Sequence, residues 1–398
     1  MTQTAFTPNR DRIFDDLSAL VSFNSPHSTP ELADQHEAAC AWTVNALEAL
    51  GLDVTRHATV DNADTIIATK PAVGDAPTVL LYSHYDVVPA NNPDAWTNDP
   101  FTLTERDGRW YGRGAADCKG NLAMHLEALR LIQANGGTDL GIKVVVEGSE
   151  ELGGDDGLGK LIDAHPDLFH ADAIMIADSG NAAVGTPTLT TSLRGGAQIN
   201  VTVETLEGAI HSGSFGGAAP DAAHALIRIT DSLFDETGRT SIDGVDCTAT
   251  WDGQPYPADT FATDAGVLDG VTLNGTPDDN PADMVWARPA LTMIGFTSTP
   301  VADAVNAVNH RAEAQYNLRV PAGTEAAAIA NAVKDHIHAH TPNGAHVTVE
   351  ISGVNEPFAT NPEHPAIALF GDCLQTAYDG ADLALIGSGG SIPLTITL

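Results

Sequence analysis

Residues 78–88, TVLLYSHYDVV, open as an unbroken apolar run and close on His84 and Asp86. A run this short and this apolar reads as a strand buried on both faces, as in a parallel sheet. His84 and Asp86 are two positions apart, so a strand turns both to one face. Two similar runs follow, GIKVVVEG at 141–148 and ADAIMIAD at 171–178, with a helical pattern, NLAMHLEALRLIQAN, at 121–135. A further helix is expected from Ser28 and Thr29, with Pro30 in its first turn, through ELADQHEAACAWTVNALEAL to a stop at Gly51. The alternation predicts an α/β fold with a parallel sheet.

The rhythm changes near residue 193. AQINVTVETL (197–206) alternates as a half-exposed strand, DAAHALIRITDSLF (221–234) reads as a helix, and AEAQYNLRVP (312–321) as a strand. EAAAIANAVKDHIHAH (325–340) reads as a second helix and HVTVEIS (346–352) as a third strand. This predicts a two-layer α+β sandwich of ferredoxin-like type, both helices on one face of an antiparallel sheet. The Gly, Pro, Thr and Asp-rich stretch from about 237 to 290 reads as loops and short strands. After residue 353 a helix, PAIALFGDCLQTAYDG, and a strand, ALIG, return to the first pattern. The expected organisation is a discontinuous catalytic domain, 1–192 with 353–398, interrupted by a second domain at 193–352.

The chain has 398 residues, with 53 Asp and Glu against 18 Lys and Arg, a formal charge of −35. Such a balance excludes a broad phosphate-binding face, so no nucleic-acid partner is expected. No apolar run is long enough to span a bilayer, and the first residues lack the pattern of an export signal, so a cytoplasmic enzyme away from membranes is expected. Asp outnumbers Glu 37 to 16 and Arg outnumbers Lys 13 to 5, a composition expected of a halophilic protein whose self-repulsion salt would screen. Cys40, Cys118, Cys247 and Cys373 form no CxxC pair and read as buried thiols.

Titratable groups gather at the carboxyl ends of the three apolar runs: His84 and Asp86, then Glu150 and Glu151, then Asp178. Asp117 lies in the glycine-rich YGRGAADCKG just before a helix. Ligands of open α/β sheets collect at strand carboxyl ends, so one crevice receives a histidine and several carboxylates. Crowded carboxylates repel unless a divalent cation neutralises them, and a histidine beside them completes a mixed N,O ligand set. Adjacent glutamates then divide the work, one holding metal while the other moves protons. Taken singly each residue has an ordinary structural reading; the set, in order, does not.

YSHYDVVP (82–89), WTNDPFTLTERDGRWYGRGAADCKGN (96–121), VVVEGSEELGG (144–154) and ADSG (177–180) together resemble the M20 family of zinc metallopeptidases. The resemblance implies that His84 and Asp178 hold one zinc, Asp117 bridges, and Glu151 holds a second. It implies that Glu150 is the general base toward a metal-bridging water, that Asp86 orients His84, and that the Asp117–Cys118 peptide is cis. Cobalt or manganese is an alternative to zinc. SLRGGAQINVTVETLEGAIHSGSFGGAAPDAAHAL (192–226) resembles the family's lid and dimerisation domain, which implies a homodimer. There His211 matches a histidine that steadies the oxyanion, whereas read alone it caps a loop. Arg319 in NLRVP, and Gly389, Gly390 and Ser391 in the GGSIP turn, match positions that grip a substrate carboxylate; read alone, Arg319 is equally a surface ion pair. His336, His338 and His340 read as a solvated helix end, and Cys118, with no base beside it, is not expected to be a nucleophile.

Family chains carry a later HSPNE-like motif whose histidine completes the second zinc site, and no histidine follows the GGSIP turn here. His364, in NPEHPA, does not match it. Counting ligands, one ion is expected to keep His84, Asp117 and Asp178 and to bind tightly. The other keeps Asp117 and Glu151 and binds weakly, with activity reduced. The expected reaction is hydrolysis of a dipeptide or short peptide bearing a free carboxylate. The alternatives are an N-acyl amino acid deacylase of the acetylornithine or succinyl-diaminopimelate type, and a catalytically silent, dimerising homologue.

Overall fold

The structure, a computed structural model, describes residues 6–27 and 29–390. Contacts divide the chain into two compact units, the first running to Gly180 and the second beginning at Asn181.

The first unit opens with α1 (Arg10–Ser22), whose N-terminus is capped by the Asn9 side chain accepting from the Arg12 N–H at 3.0 Å. After α2 (Ala33–Glu48), Gly51 turns the chain at φ +69°, a left-handed value that glycine adopts at no steric cost. Strands β1 (Asp53–His57), β2 (Thr65–Lys70) and β3 (Thr78–His84) follow, then a small ribbon of β4 (Thr104–Arg106) and β5 (Arg109–Tyr111). Helix α3 (Lys119–Ala134), β6 (Gly141–Glu147), the short α4 (Lys160–Ala164) and β7 (Ala173–Ile176) complete it. The sheet order is β1-β2-β6-β3-β7. Strands β6, β3 and β7 are mutually parallel, as the three apolar runs predicted, but β1 and β2 pair antiparallel. The sheet is therefore mixed; β1, with alternating polar residues DVTRH, lacks the apolar run that marks the buried strands. Leu122 and Leu126 on α3 pack with Leu47, Ile66, Leu81, Val144 and Val146 in one core, each such side chain contributing about 1.5–3 kcal/mol. Parallel pairing sets His84 of β3 opposite Glu147 of β6, which levels the two strand ends carrying the chemistry.

The second unit contains β8 (Thr188–Leu193), β9 (Gly195–Glu204), β10 (Ile210–His211), α5 (Ser212–Phe215), α6 (Ala222–Ser232) and α7 (Ala258–Asp264). It continues with β11 (Ala290–Thr297), β12 (Ala307–Val308), β13 (Arg311–Val320), α8 (Ala326–Ala339), β14 (His346–Asn355), β15 (Phe358–Ala359), α9 (Pro365–Ala377) and β16 (Ala384–Ser388). An antiparallel sheet of order β11-β13-β9-β14 buries Ile199, Val201 and Val203 on one face against Leu226, Ile229, Val333 and Ile337 of α6 and α8. That is the expected two-layer sandwich, with β11 as a strand that the sequence reading left unassigned. In the 237–290 stretch the short strands do not form among the described residues; α7 forms instead. A smaller sheet, β15-β8-β16, also lies in this unit. Contacts thus group 181–192 and 353–390 with the sandwich, whereas the sequence reading joined them to the first pattern.

Two local expectations change. His336 is buried, not solvated: its ring stacks on His340 at 4.1 Å, and the Asp243 carboxylate stands 2.8 Å from His340 Nε2. All four cysteines are free, but Cys373 is exposed and Cys247 half-buried. Among the described residues no helix is long and apolar enough to cross a membrane.

Candidate metal centre

The first unit brings His84, Asp86, Asp117, Glu150, Glu151 and Asp178 together. His84, at the end of β3, is fully buried, with Nε2 3.0 Å from Asp117 Oδ1, 3.5 Å from Asp178 Oδ2 and 3.8 Å from Glu150 Oε2. Ligand atoms of His84, Asp117 and Glu151 lie within 4.8 Å of one another. Cys118 Sγ, His84 and Asp178 form a second such group. The Asp117–Cys118 peptide bond is cis.

Asp86 is fully buried behind the histidine, and its Oδ1 lies 3.2 Å from His84 Nδ1. The same carboxylate accepts the backbone N–H of Glu150 at 3.2 Å and of Glu151 at 3.1 Å. One side chain therefore fixes both the imidazole and the turn Glu150–Leu152 that carries the glutamates. Gly148 permits this turn to close, since a Cβ there would fall 2.3 Å from the Tyr85 hydroxyl oxygen.

Burial opposes charge on His84, but hydrogen bonds to Asp117, Asp178 and Asp86 outweigh it and hold the imidazole well above its ordinary value. The Asp117 carboxyl is held below the usual range, first by its hydrogen bond to His84. Burial, reinforced by Asp178, Asp86 and Glu147, pushes Glu150 up to about 8, and burial with Asp117 raises Glu151. So many carboxylates around one buried imidazole make a strong sink for positive charge.

A divalent cation fits this sink. The donors are one imidazole nitrogen and carboxylate oxygens, and the 3.0 and 3.5 Å separations bracket the edge of roughly 3.3 Å expected for a tetrahedral ion with bonds of about 2.0–2.1 Å. Cys118 is a poorer candidate: it is fully buried, and burial raises its thiol, which disfavours the thiolate that metal or nucleophilic chemistry requires.

Two residues escaped the sequence reading. Glu147, pushed up to about 7 by burial, accepts from the Tyr82 hydroxyl at 2.6 Å directly behind the site. Its position as the carboxylate ending an apolar run was the available signal. The second is Arg194, within the quoted SLRGG, a half-buried residue whose Nε and Nη1 atoms are buried without a hydrogen-bond partner among the described residues.

The remaining expected residues lie in the second unit. His211 ends β10, exposed, with Nδ1 3.4 Å from Ser214 Oγ. Arg319, on β13, donates from Nε to Asn317 Oδ1 at 3.0 Å and has no carboxylate partner among the described residues. Gly389 and Gly390 follow β16, and Ser391 lies outside the described residues.

Comparisons with known proteins place the chain among peptidases. A cysteinylglycine-S-conjugate dipeptidase of Corynebacterium striatum is 68% identical over 399 residues, covering 100% of this chain and 88% of that protein. The Cys-Gly metallodipeptidase dug1 of Schizosaccharomyces pombe is 29% identical over 344 residues, covering 80% of this chain and 70% of its own. Human carnosine dipeptidase 1 shares the fold, with a TM-score of 0.78 at 22% identity over 97% of this chain and 86% of that one. The profile of peptidase family M20/M25/M40 matches residues 80–394, a span that takes in every one of these groups, and the chain belongs to that family.

Proposed function

We propose that the protein is a metal-dependent dipeptidase, with zinc as the native ion and Glu150 as the general base. The observation that carries this reading is the buried His84, held by Asp86 on one ring nitrogen and facing Asp117, Asp178 and Glu150 on the other at 3.0–3.8 Å. In this reading His84, Asp117, Asp178 and Glu151 would hold the metal. A bound divalent cation supplies Lewis-acid polarisation of the scissile carbonyl and makes water a nucleophile at neutral pH. Glu150 takes the proton of the attacking water and returns it to the departing amine, a task suited to a carboxyl whose affinity for protons is raised toward neutrality. Asp86 keeps the imidazole and both glutamates in register while charge shifts.

Substrate carboxylate is assigned to Arg319, Gly389, Gly390 and Ser391, and oxyanion support to His211. Dipeptides are favoured over N-acyl amino acids because both relatives named above are dipeptidases. Hydrolysis of cysteinylglycine, compared with N-acetyl amino acids in the presence of added Zn, Mn or Co, tests this directly. Cleavage of the dipeptide with little deacylation is expected, and no turnover of either sinks the reading. The same reading includes a cytoplasmic homodimer formed through the second unit and a surface suited to salt. Sedimentation velocity and a melting series against KCl test the dimer and the salt adaptation.

A further inference from the structure

Lys119, the first residue of α3, is fully buried. Its Nζ donates to the Phe23 carbonyl at 2.7 Å, and Phe23 caps the C-terminus of α1. The last carbonyls of a helix lack partners within it and carry partial negative charge, and the last turn of α1 has no basic residue of its own. To reach that carbonyl the lysine stem passes against Gly114, where a Cβ would fall 2.9 Å from Lys119 Cδ and 2.9 Å from Val87 Cγ1. Gly114 also sits at φ +80°, so glycine meets both demands.

Between Gly114 and Lys119 the chain carries Asp117. This turn closes on itself: the Gly120 N–H donates to the Gly114 carbonyl at 3.3 Å, and the Asn121 and Leu122 N–H groups donate to the Cys118 carbonyl at 3.0 and 3.2 Å. A Cβ on Gly120 would lie 2.2 Å from the Ala115 carbonyl oxygen. The Asp117 side chain is 67% exposed, and its hydrogen bond among the described residues is to His84. Neighbouring side chains therefore do little to aim this carboxylate, and its place at His84 follows from where the turn is fixed.

An ammonium is a costly way to fill the space beneath that turn. Burial works against its charge and Asp86 works for it, while one hydrogen bond to a neutral carbonyl offsets only part of the loss of water. Methionine has similar length and volume without that penalty, so packing alone does not account for the lysine.

We infer that Lys119 is a positioning residue for the metal centre: by anchoring the 114–120 turn to the end of α1, it holds the Asp117 carboxylate at His84 before an ion arrives. The inference rests on the reading of Asp117 as a metal ligand.

The test titrates metal-free, folded protein with Zn by calorimetry, for wild type, Lys119→Met, Asp117→Asn, the double variant, and Leu126→Ala as a destabilised control. Lys119→Met is expected to bind Zn about 10- to 100-fold more weakly. At saturating Zn its kcat on cysteinylglycine should fall while KM stays within about threefold of wild type. Leu126→Ala should lower the urea midpoint and keep its Zn affinity, which separates positioning from a general loss of stability. In the Asp117→Asn background Lys119→Met should add little, because the lysine acts through that carboxylate. Wild-type Zn affinity in folded Lys119→Met, or an equal loss with and without Asp117, overturns the inference. An Asp117→Asn protein that binds Zn like wild type overturns the ligand reading instead. Hydrogen exchange then judges the anchor without metal: the Gly120 and Asn121 amides should exchange faster in Lys119→Met than in wild type, and equal rates overturn it. Lys119→Gln, shorter and neutral, replaces Lys119→Met if that variant does not fold. If neither folds, slow exchange of the same two amides in wild type supports the anchor and exchange at the solvent rate overturns it.

Discussion

Replacing Asp86 by Asn probes the part of the site that the geometry defines most tightly. The carboxylate makes three contacts: His84 Nδ1 at 3.2 Å, the Glu150 N–H at 3.2 Å and the Glu151 N–H at 3.1 Å. Asparagine keeps the volume but offers one acceptor oxygen, so its NH2 group is forced against a donor. One buried N–H is left unpaired or the turn shifts, a loss of about 1–3 kcal/mol in folding stability. Loss of the partner that orients a metal-binding histidine typically costs about 10–100-fold in metal affinity. Urea melts give the first number, and calorimetric titration of metal-free protein with Zn gives the second. A folded Asp86→Asn protein that binds Zn as tightly as wild type would refute the claim that Asp86 sets the ligand geometry.

Glu150→Gln is expected to lower kcat by about 10²–10⁴ while metal content is retained; coupled rate and metal measurements would show a failure as unchanged turnover. His125 is buried on α3 with its Nε2 3.1 Å from the Tyr82 carbonyl, and burial lowers its imidazole to about 4. Its folded value lies below the unfolded one of about 6.5, so the stability it allows is complete above pH 6.5 and is lost as pH falls toward 4. Between pH 7 and 5 wild type should lose about 2 kcal/mol more than His125→Gln in urea melts, and equal losses would contradict the assignment. Leu126→Ala, which empties a fully buried position between α3 and the sheet, should cost about 2–5 kcal/mol, read as a fall in the urea midpoint; a fall under 1 kcal/mol would contradict the core described.

The parallel heart of the first unit was legible because its three strands are buried on both faces and carry unbroken apolar runs. The sandwich was legible because period-2 and period-3.6 patterns alternate in it. What stayed hidden had no such signature. β1 is polar at alternate positions, and β11 is mostly exposed along LTMIGFT, so neither differs in sequence from a loop with scattered apolar residues. His336 looked solvated because its partner Asp243 is remote in sequence and reaches it only through tertiary packing. The candidate residues of the metal centre could be picked out as a set because strand ends collect them, and in the structure His84, Asp86, Asp117, Glu150, Glu151 and Asp178 lie in one unit.

The most direct measurement is the metal content of dialysed wild type and of His84→Asn, determined on folded protein by elemental analysis. The account predicts that wild type retains a divalent ion, zinc when offered, and that the variant loses it together with hydrolysis of cysteinylglycine. A wild type that retains no divalent ion after incubation with zinc, or a His84→Asn protein that holds it as firmly, would contradict the account.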